Sequence, residues 1–242
     1  MLQWMLTWLR PEKTDRLFRI MEWIGLGLCV LFLPGLYGAW TVPADYQQGQ
    51  AFRIMFCHVP CAVLSLGCFV CMAIASFIYL VWRVRLYDFI AQGAAASGIF
   101  MCVAALVSGM IWGKPIWGTY WIWDARLTSE FILLCLYLCY LLLRHGTLNT
   151  RKARFMAAVF ALVAVLDVPV VHYSVTWWFS LHQGSSFTRL SEKTIPWQMA
   201  WPMIWMMLAW IGYALVITTW RARTLWWRDR HQRHFVGAKH VS

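Results

Sequence analysis

Three histidines and one aromatic run carry the residue types best able to do chemistry. His58 stands in Cys57-His-Val-Pro60, His172 in Val171-His-Tyr-Ser174 and His182 in Leu181-His-Gln-Gly184. Between the first and the other two lies Trp112-Gly-Lys-Pro-Ile-Trp-Gly-Thr-Tyr-Trp-Ile-Trp-Asp-Ala-Arg126. Trp112, Trp117, Trp121 and Trp123, with Tyr120, fall within twelve residues, interleaved with Gly113, Pro115 and Gly118. Neutral imidazole is a common transition-metal ligand. Rigid indoles over a glycine-relieved backbone offer a flat apolar platform at little cost in side-chain entropy. Lys114 and Arg126 flank that platform, and cations there suit a planar ligand bearing carboxylates. Two readings of Asp124 and Arg126 stand at this point: they serve such a ligand, or they pair with each other and cap the next helix.

The elements that must position these groups are membrane helices. Hydrophobic residues make up 61% of the 242 and charged residues 13%, against the 45–50% and roughly 25% of a soluble domain. Apolar runs bounded by charges predict six spans, at about 18–40, 55–82, 89–112, 127–144, 154–172 and 202–220. At about 20 residues each they occupy roughly half the chain and leave no room for a separate water-soluble domain. The predicted fold is an all-α polytopic membrane protein, one membrane domain over residues 1–242 with six transmembrane helices. Gly93-Ala-Ala-Ala-Ser-Gly98 gives the third a small-residue face for close packing. The segment 2–9 reads as an interfacial stretch on the cytoplasmic side.

Sixteen of the 21 Lys and Arg fall at one set of helix ends, among them Arg16, Arg83, Arg85, Arg144, Arg151, Arg154 and the tail from Arg221 to Lys239. The other five are Arg53, Lys114, Arg126, Arg189 and Lys193. The positive-inside rule then puts both termini in the cytoplasm. It also gathers the connections 41–54, 113–126 and 173–201 on the outer side, with 113–126 as a tryptophan-rich periplasmic loop. The net charge of +11 is thereby spread along a membrane surface, which argues against a nucleic-acid partner and for contact with membrane lipid.

The eight cysteines lie in or at the start of apolar runs, so Cys68-Phe-Val-Cys71 reads as packing rather than as a redox pair. No Cys-x-x-Cys-His occurs, so the chain is not itself a c-type cytochrome. His231, His234 and His240 belong to the basic tail and His145 to a cytoplasmic turn. His58, His172 and His182 share the outer side. Axial nitrogens, flat apolar walls and cations for two propionates are together what a porphyrin needs.

Trp117-Gly-Thr-Tyr-Trp-Ile-Trp-Asp124 resembles the WWD signature of haem-handling membrane proteins. Cys57-His-Val-Pro60, Trp112-Gly-Lys-Pro115, Asp124-Ala-Arg-Leu-Thr-Ser129, His172-Tyr-Ser174, Leu181-His-Gln-Gly-Ser185 and Ala44-Asp-Tyr-Gln-Gln-Gly49 resemble one branch, the cytochrome c maturation protein C (CcmC, haem exporter protein C) family. That resemblance implies a bacterial inner-membrane protein, or its mitochondrial counterpart, that presents haem at the periplasmic face to the haem chaperone CcmE. It implies haem b held non-covalently between His58 and His182 as axial ligands, with Trp112, Trp117, Gly118, Tyr120, Trp121, Trp123 and Asp124 as the platform. Arg126 and Lys114 are then the propionate candidates, with Arg53 a weaker third. The implied partners are the ATP-binding-cassette subunits CcmA and CcmB and the small membrane protein CcmD. Transport by this chain is not implied, and catalysis of covalent attachment on the chaperone is left open.

Two residues depart from the family pattern: Tyr120 replaces a frequent Trp, and Asp167 replaces an Asn. Asp167 lies toward the outer end of the fifth span, where an intramembrane acid is by default a functional candidate and a proline-loosened turn is the alternative. Two other classes compete. A b-type electron-transfer subunit needs mid-span histidines on facing helices, and none is present. A transporter needs broken helices, midplane charges and internal repeats, of which only Asp167 comes near.

Overall fold

In a computed structural model the described residues are mostly helical, with no strand among them. The structure describes residues 11–146, 150–178, 180, 182 and 196–239, with side chains for all of these but 150 and 233–239. The expected interfacial segment 2–9, Arg189, Lys193, His240 and the Gln183-Gly-Ser185 part of the second histidine motif lie outside the described residues, as do the side chains of His234 and Lys239.

The helices are α1 (Pro11–Cys29), α2 (Phe32–Thr41), a short 3-10 turn (Ala51–Ile54), α3 (Met55–Trp82), α4 (Arg85–Trp117), α5 (Ala125–His145), α6 (Thr150–Ala164), α7 (Asp167–Trp177) and α8 (Trp197–Lys239). Among the described residues they form six helical runs long and apolar enough to cross a bilayer, α1 with α2 and α6 with α7 each making one run. Both interruptions have a proline as cause. Pro34 and Pro169 carry no N–H, so the carbonyls one turn before them lose their helical donor. The chain tightens instead, with Leu33 N–H donating to Val30 O (3.1 Å) and Val168 N–H to Val165 O (3.0 Å).

The core lies between α3, α4 and α5, around Phe69, Met72, Met101, Cys102, Leu133, Tyr137 and Tyr140, none more than 1% exposed. Ala91, Ala94 and Ala95 are buried on α4, the small-residue face letting backbones approach where lipid offers no hydrophobic drive for association. Around the bundle, Trp23, Leu33, Trp40, Phe77 and Val163 point outward, more than half exposed. In water that would be anomalous; toward lipid it is the expected surface.

One end of the bundle is locked by charge. Asp88, 3% exposed, accepts from Arg144 Nε (2.9 Å) and Nη2 (2.8 Å), and Arg154 Nε stands 3.4 Å away. Asp229 pairs with Arg85 and Arg154, and Asp15 with Arg19 and Arg223. These contacts tie α1, α4, α5, α6 and α8 together at the face that holds the chain's basic excess. The opposite end carries the aromatic run and the histidines.

Two helices differ from the sequence-based spans. The third helix does not stop at Trp112 but continues through Gly-Lys-Pro115 to Trp117. Pro115 costs little there, and Gly118, at φ +78°, supplies the left-handed residue that ends the helix. Trp112 and Lys114 therefore stand on the last turns of α4, and the connection proper is 118–124. The expected single fifth helix is the α6–α7 pair.

Candidate functional site

Each of the two principal histidines has its Nδ1 engaged by oxygen. His58, on the first turn of α3, has Nδ1 2.9 Å from Ala105 O and 3.1 Å from Ser108 Oγ on α4. A carbonyl can only accept, so Nδ1 carries the proton and Nε2 the lone pair. His182 has Nδ1 3.0 Å from Asp124 Oδ2, which fixes the same tautomer.

Asp124 organises its corner through both carboxylate oxygens. Oδ1 accepts from Leu127 N–H at 2.8 Å and caps α5, while Oδ2 accepts from Ser180 Oγ at 2.6 Å as well as from His182. Ser180 Oγ in turn accepts from the His182 N–H at 3.1 Å. Burial pushes the Asp124 carboxyl up, but the hydrogen bonds from Ser180, Leu127 and His182 overcome it and hold it below 3.8. Burial is also the largest effect on His182 and takes it below 6.5, although Asp124 pulls the other way. A neutral imidazole thus donates to a carboxylate, the arrangement that orients metal-bound histidines elsewhere.

The two histidines line one cavity of about 20 Å³, together with Ala62, Ala105, Gly109, Arg126, Leu127 and Glu130. Arg126 Nη1 donates to Val171 O at 2.7 Å, fastening the start of α5 to α7. Glu130, 5% exposed, accepts through Oε1 from Ser65 Oγ (2.7 Å), with Cys102 Sγ at 3.4 Å. Among the described residues no three His, Cys, Asp or Glu converge as a metal site. Two imidazoles alone suit a metal that brings its remaining ligands in a chelate of its own.

Two rings of the aromatic run flank the histidines, and the run forms no flat shelf. Trp112 lies edge-on to His58 at 5.7 Å and donates Nε1–H to Gln48 Oε1 at 3.0 Å, tying the connection 42–50 to α4. Trp117 lies against His182 at 4.7 Å. Trp121 packs edge-on to Trp123 and Phe131, its Nε1 buried and without a partner among the described residues. Trp123 and Tyr120 project, 73% and 54% exposed, and Lys114 sits over the Tyr120 ring while donating to Gly118 O at 2.9 Å.

Of the three cations, only Arg126 reaches the cavity. Arg53 donates to Val42 O and stacks over Trp40. His172 is exposed and rests against Tyr173. Asp167 begins α7, with Oδ2 buried and unpartnered among the described residues.

Several contributing residues gave no sequence signal. Glu130 follows Leu127-Thr-Ser129, where an acid reads as an ordinary first-turn helix residue. Gly109 and Gly113 look like helix-packing glycines, yet an added Cβ would stand 3.0 Å from His58 Cε1 and 2.7 Å from Trp117 Cε3. Ser180 and Ser108, the second hydrogen-bonding partners of the two histidine corners, belong to no motif.

Helices long and apolar enough to span a membrane, with two histidines lining one cavity beside a tryptophan-rich connection, define a polytopic membrane protein. The family model described as Heme exporter protein C matches residues 4–237. The chain is 40% identical over 215 residues to Heme exporter protein C of Escherichia coli K12, covering 87% of this chain and 86% of that one. It is 35% identical over 245 residues to the Haemophilus influenzae protein of that name, covering 98% of each, and 40% over 191 residues to that of Bradyrhizobium diazoefficiens, covering 79% and 73%. The chain belongs to the heme exporter protein C family.

Proposed function

We propose that this protein handles haem for cytochrome c maturation, holding it at the periplasmic face of the bacterial inner membrane and presenting it to the chaperone CcmE. Family membership supports the haem-handling role. The observation that carries the site is the shared tautomer: His58 and His182 line one cavity, each with Nδ1 given to oxygen and Nε2 left to ligate.

When bound, haem supplies an iron for axial ligation and vinyl edges for covalent attachment on the partner. The residues of this chain do the rest. His58 and His182 would hold the iron through Nε2, Asp124 and Ser180 hold the His182 ring, and Arg126, lining the cavity, would meet a propionate. Lys114, at the exposed rim, is the second such cation. Trp117 walls the His182 side, while Trp123 and Tyr120 project toward a docking chaperone. A cavity of about 20 Å³ holds about one water, so holding a macrocycle would require His58 and His182 to move apart. The excess of Lys and Arg at the opposite face supports cytoplasmic termini, where CcmA would dock, with CcmB and CcmD beside the helices.

The test is chaperone loading in cells. Trp123→Ala and Trp121→Ala are expected to lower covalent haem on CcmE while the protein accumulates normally. Full loading by both variants would contradict the handover role of this connection.

A further inference from the structure

The end of the bundle that holds the basic excess carries a second cavity, of about 400 Å³, where the end of α3 meets the start of α6. Arg83, Arg151, Lys152 and Phe155 line it, three cations and a ring with no acid among the described residues. Elsewhere at this end arginines meet carboxylates: Arg144 and Arg154 meet Asp88, Arg85 meets Asp229, and Arg223 meets Asp15 and Glu22. Three cations gathered on one cavity repel one another unless an anion comes between them.

The backbone places the first of them. Arg83 ends α3 at φ 58°, the one non-glycine residue with positive φ among the described residues, and its N–H donates to Tyr79 O at 2.8 Å. A left-handed helix end ordinarily takes glycine, which adopts it without strain. Arginine at this position instead carries a guanidinium across to α6, 5.6 Å from the centre of the Phe155 ring. On α6, Phe155, Val159 and Val163 recur at every fourth position and are exposed, as are Phe77, Val81 and Trp82 on the last turns of α3. The cations therefore stand at the head of apolar surface that faces lipid.

We infer that this cavity binds the headgroup of an anionic phospholipid, with the phosphate held by Arg83, Arg151 and Lys152 and the acyl chains laid along the exposed residues of α3 and α6. Basic pockets between membrane helices suit such headgroups, and a guanidinium can engage two phosphate oxygens at once. A free phosphate would satisfy the cations alone; the apolar surface beside them selects an amphiphile. Bound there, the lipid joins α3 to α6 as Asp88 joins α4 to α5 and α6. This site lies at the opposite end of the bundle from the histidines and does not depend on how they ligate.

The experiment is native mass spectrometry of the detergent-purified protein given equal amounts of phosphatidylglycerol and phosphatidylcholine, with and without excess inorganic phosphate. Wild type is expected to hold phosphatidylglycerol at least about tenfold over phosphatidylcholine, and inorganic phosphate is expected not to displace it. Arg83→Gln/Arg151→Gln/Lys152→Gln is expected to lose that preference. Arg16→Gln/Arg221→Gln/Arg228→Gln, which removes as many cations outside the cavity, is expected to keep it. Should the cavity variant fold poorly, wild type alone answers through its preference and its resistance to phosphate. No preference in wild type, displacement by phosphate as at a free-anion site, or equal loss in both variants as for diffuse surface charge overturns the inference.

Discussion

Asp124 Oδ2 stands 3.0 Å from His182 Nδ1 while Asp124 Oδ1, 2.8 Å from the Leu127 N–H, caps α5. One carboxylate thus sets a helix start and an imidazole tautomer together. The two roles separate in Asp124→Asn. Asparagine caps a helix about as well as aspartate, so the fold is expected to survive with stability changed by less than about 1 kcal/mol. The imidazole loses its anionic partner, and haem retention is expected to fall by about 10- to 100-fold. Haem titration of the purified variant checks this; unchanged affinity with intact folding would remove Asp124 from the site.

His182 also fixes the direction of the pH dependence. Its folded value lies below 6.5 because burial disfavours the cation. As pH falls below 6.5 the unfolded chain takes up the proton first, so stability declines in acid. On the proposed ligation iron and proton would compete for Nε2, so haem retention is expected to be flat from about pH 8 down to 6.5 and to fall only below that. Asp124, held below 3.8, keeps its stabilising contribution throughout that range and loses it as pH drops through its lower folded value. Low-spin absorbance followed against pH reads the transition, and a midpoint above 6.5 would contradict the assignment.

Gly113→Ala distinguishes site geometry from helix stability. Alanine favours a helix over glycine by about 1 kcal/mol, so α4 itself gains. The new Cβ, however, would stand 2.7 and 2.9 Å from Cε3 and Cζ3 of Trp117, the ring that packs on His182. The expected outcome is a variant at least as heat-stable as wild type with weaker haem retention, comparable to Trp117→Ala. Retention equal to wild type would show that Trp117 does not hold His182 in place.

At the other end, Asp88→Asn leaves Arg144 and Arg154 without their buried carboxylate. Breaking such a pair from one side costs about 3–5 kcal/mol. Thermal unfolding in detergent is expected to drop accordingly, while folded protein keeps its haem spectrum. A variant as stable as wild type would mean that water reaches the cluster.

How much of this was legible in the residues depends on what each one does. The six spans follow from composition because a bilayer demands long apolar runs, and six such runs are present among the described residues. The extension of α4 to Trp117 was hidden by Gly113 and Pro115, which read as loop residues in water but close a helix end here. His58 and His182 stood out by type and side, and they do share a cavity. Glu130 did not, because its significance arises from Ser65 and Cys102 on neighbouring helices, and no local pattern encodes that meeting. The platform was legible as composition but not as shape, since whether indoles lie flat or edge-on is set by packing such as Trp121 against Phe131.

The most direct measurement is the absorption spectrum of the detergent-purified protein, comparing wild type with His58→Ala and His182→Ala. The expected result is a low-spin bis-imidazole spectrum in wild type that each substitution abolishes or converts to a high-spin form. A wild type that neither carries haem nor takes up added haemin, or variants whose low-spin bands are unchanged, would contradict the paired-histidine site.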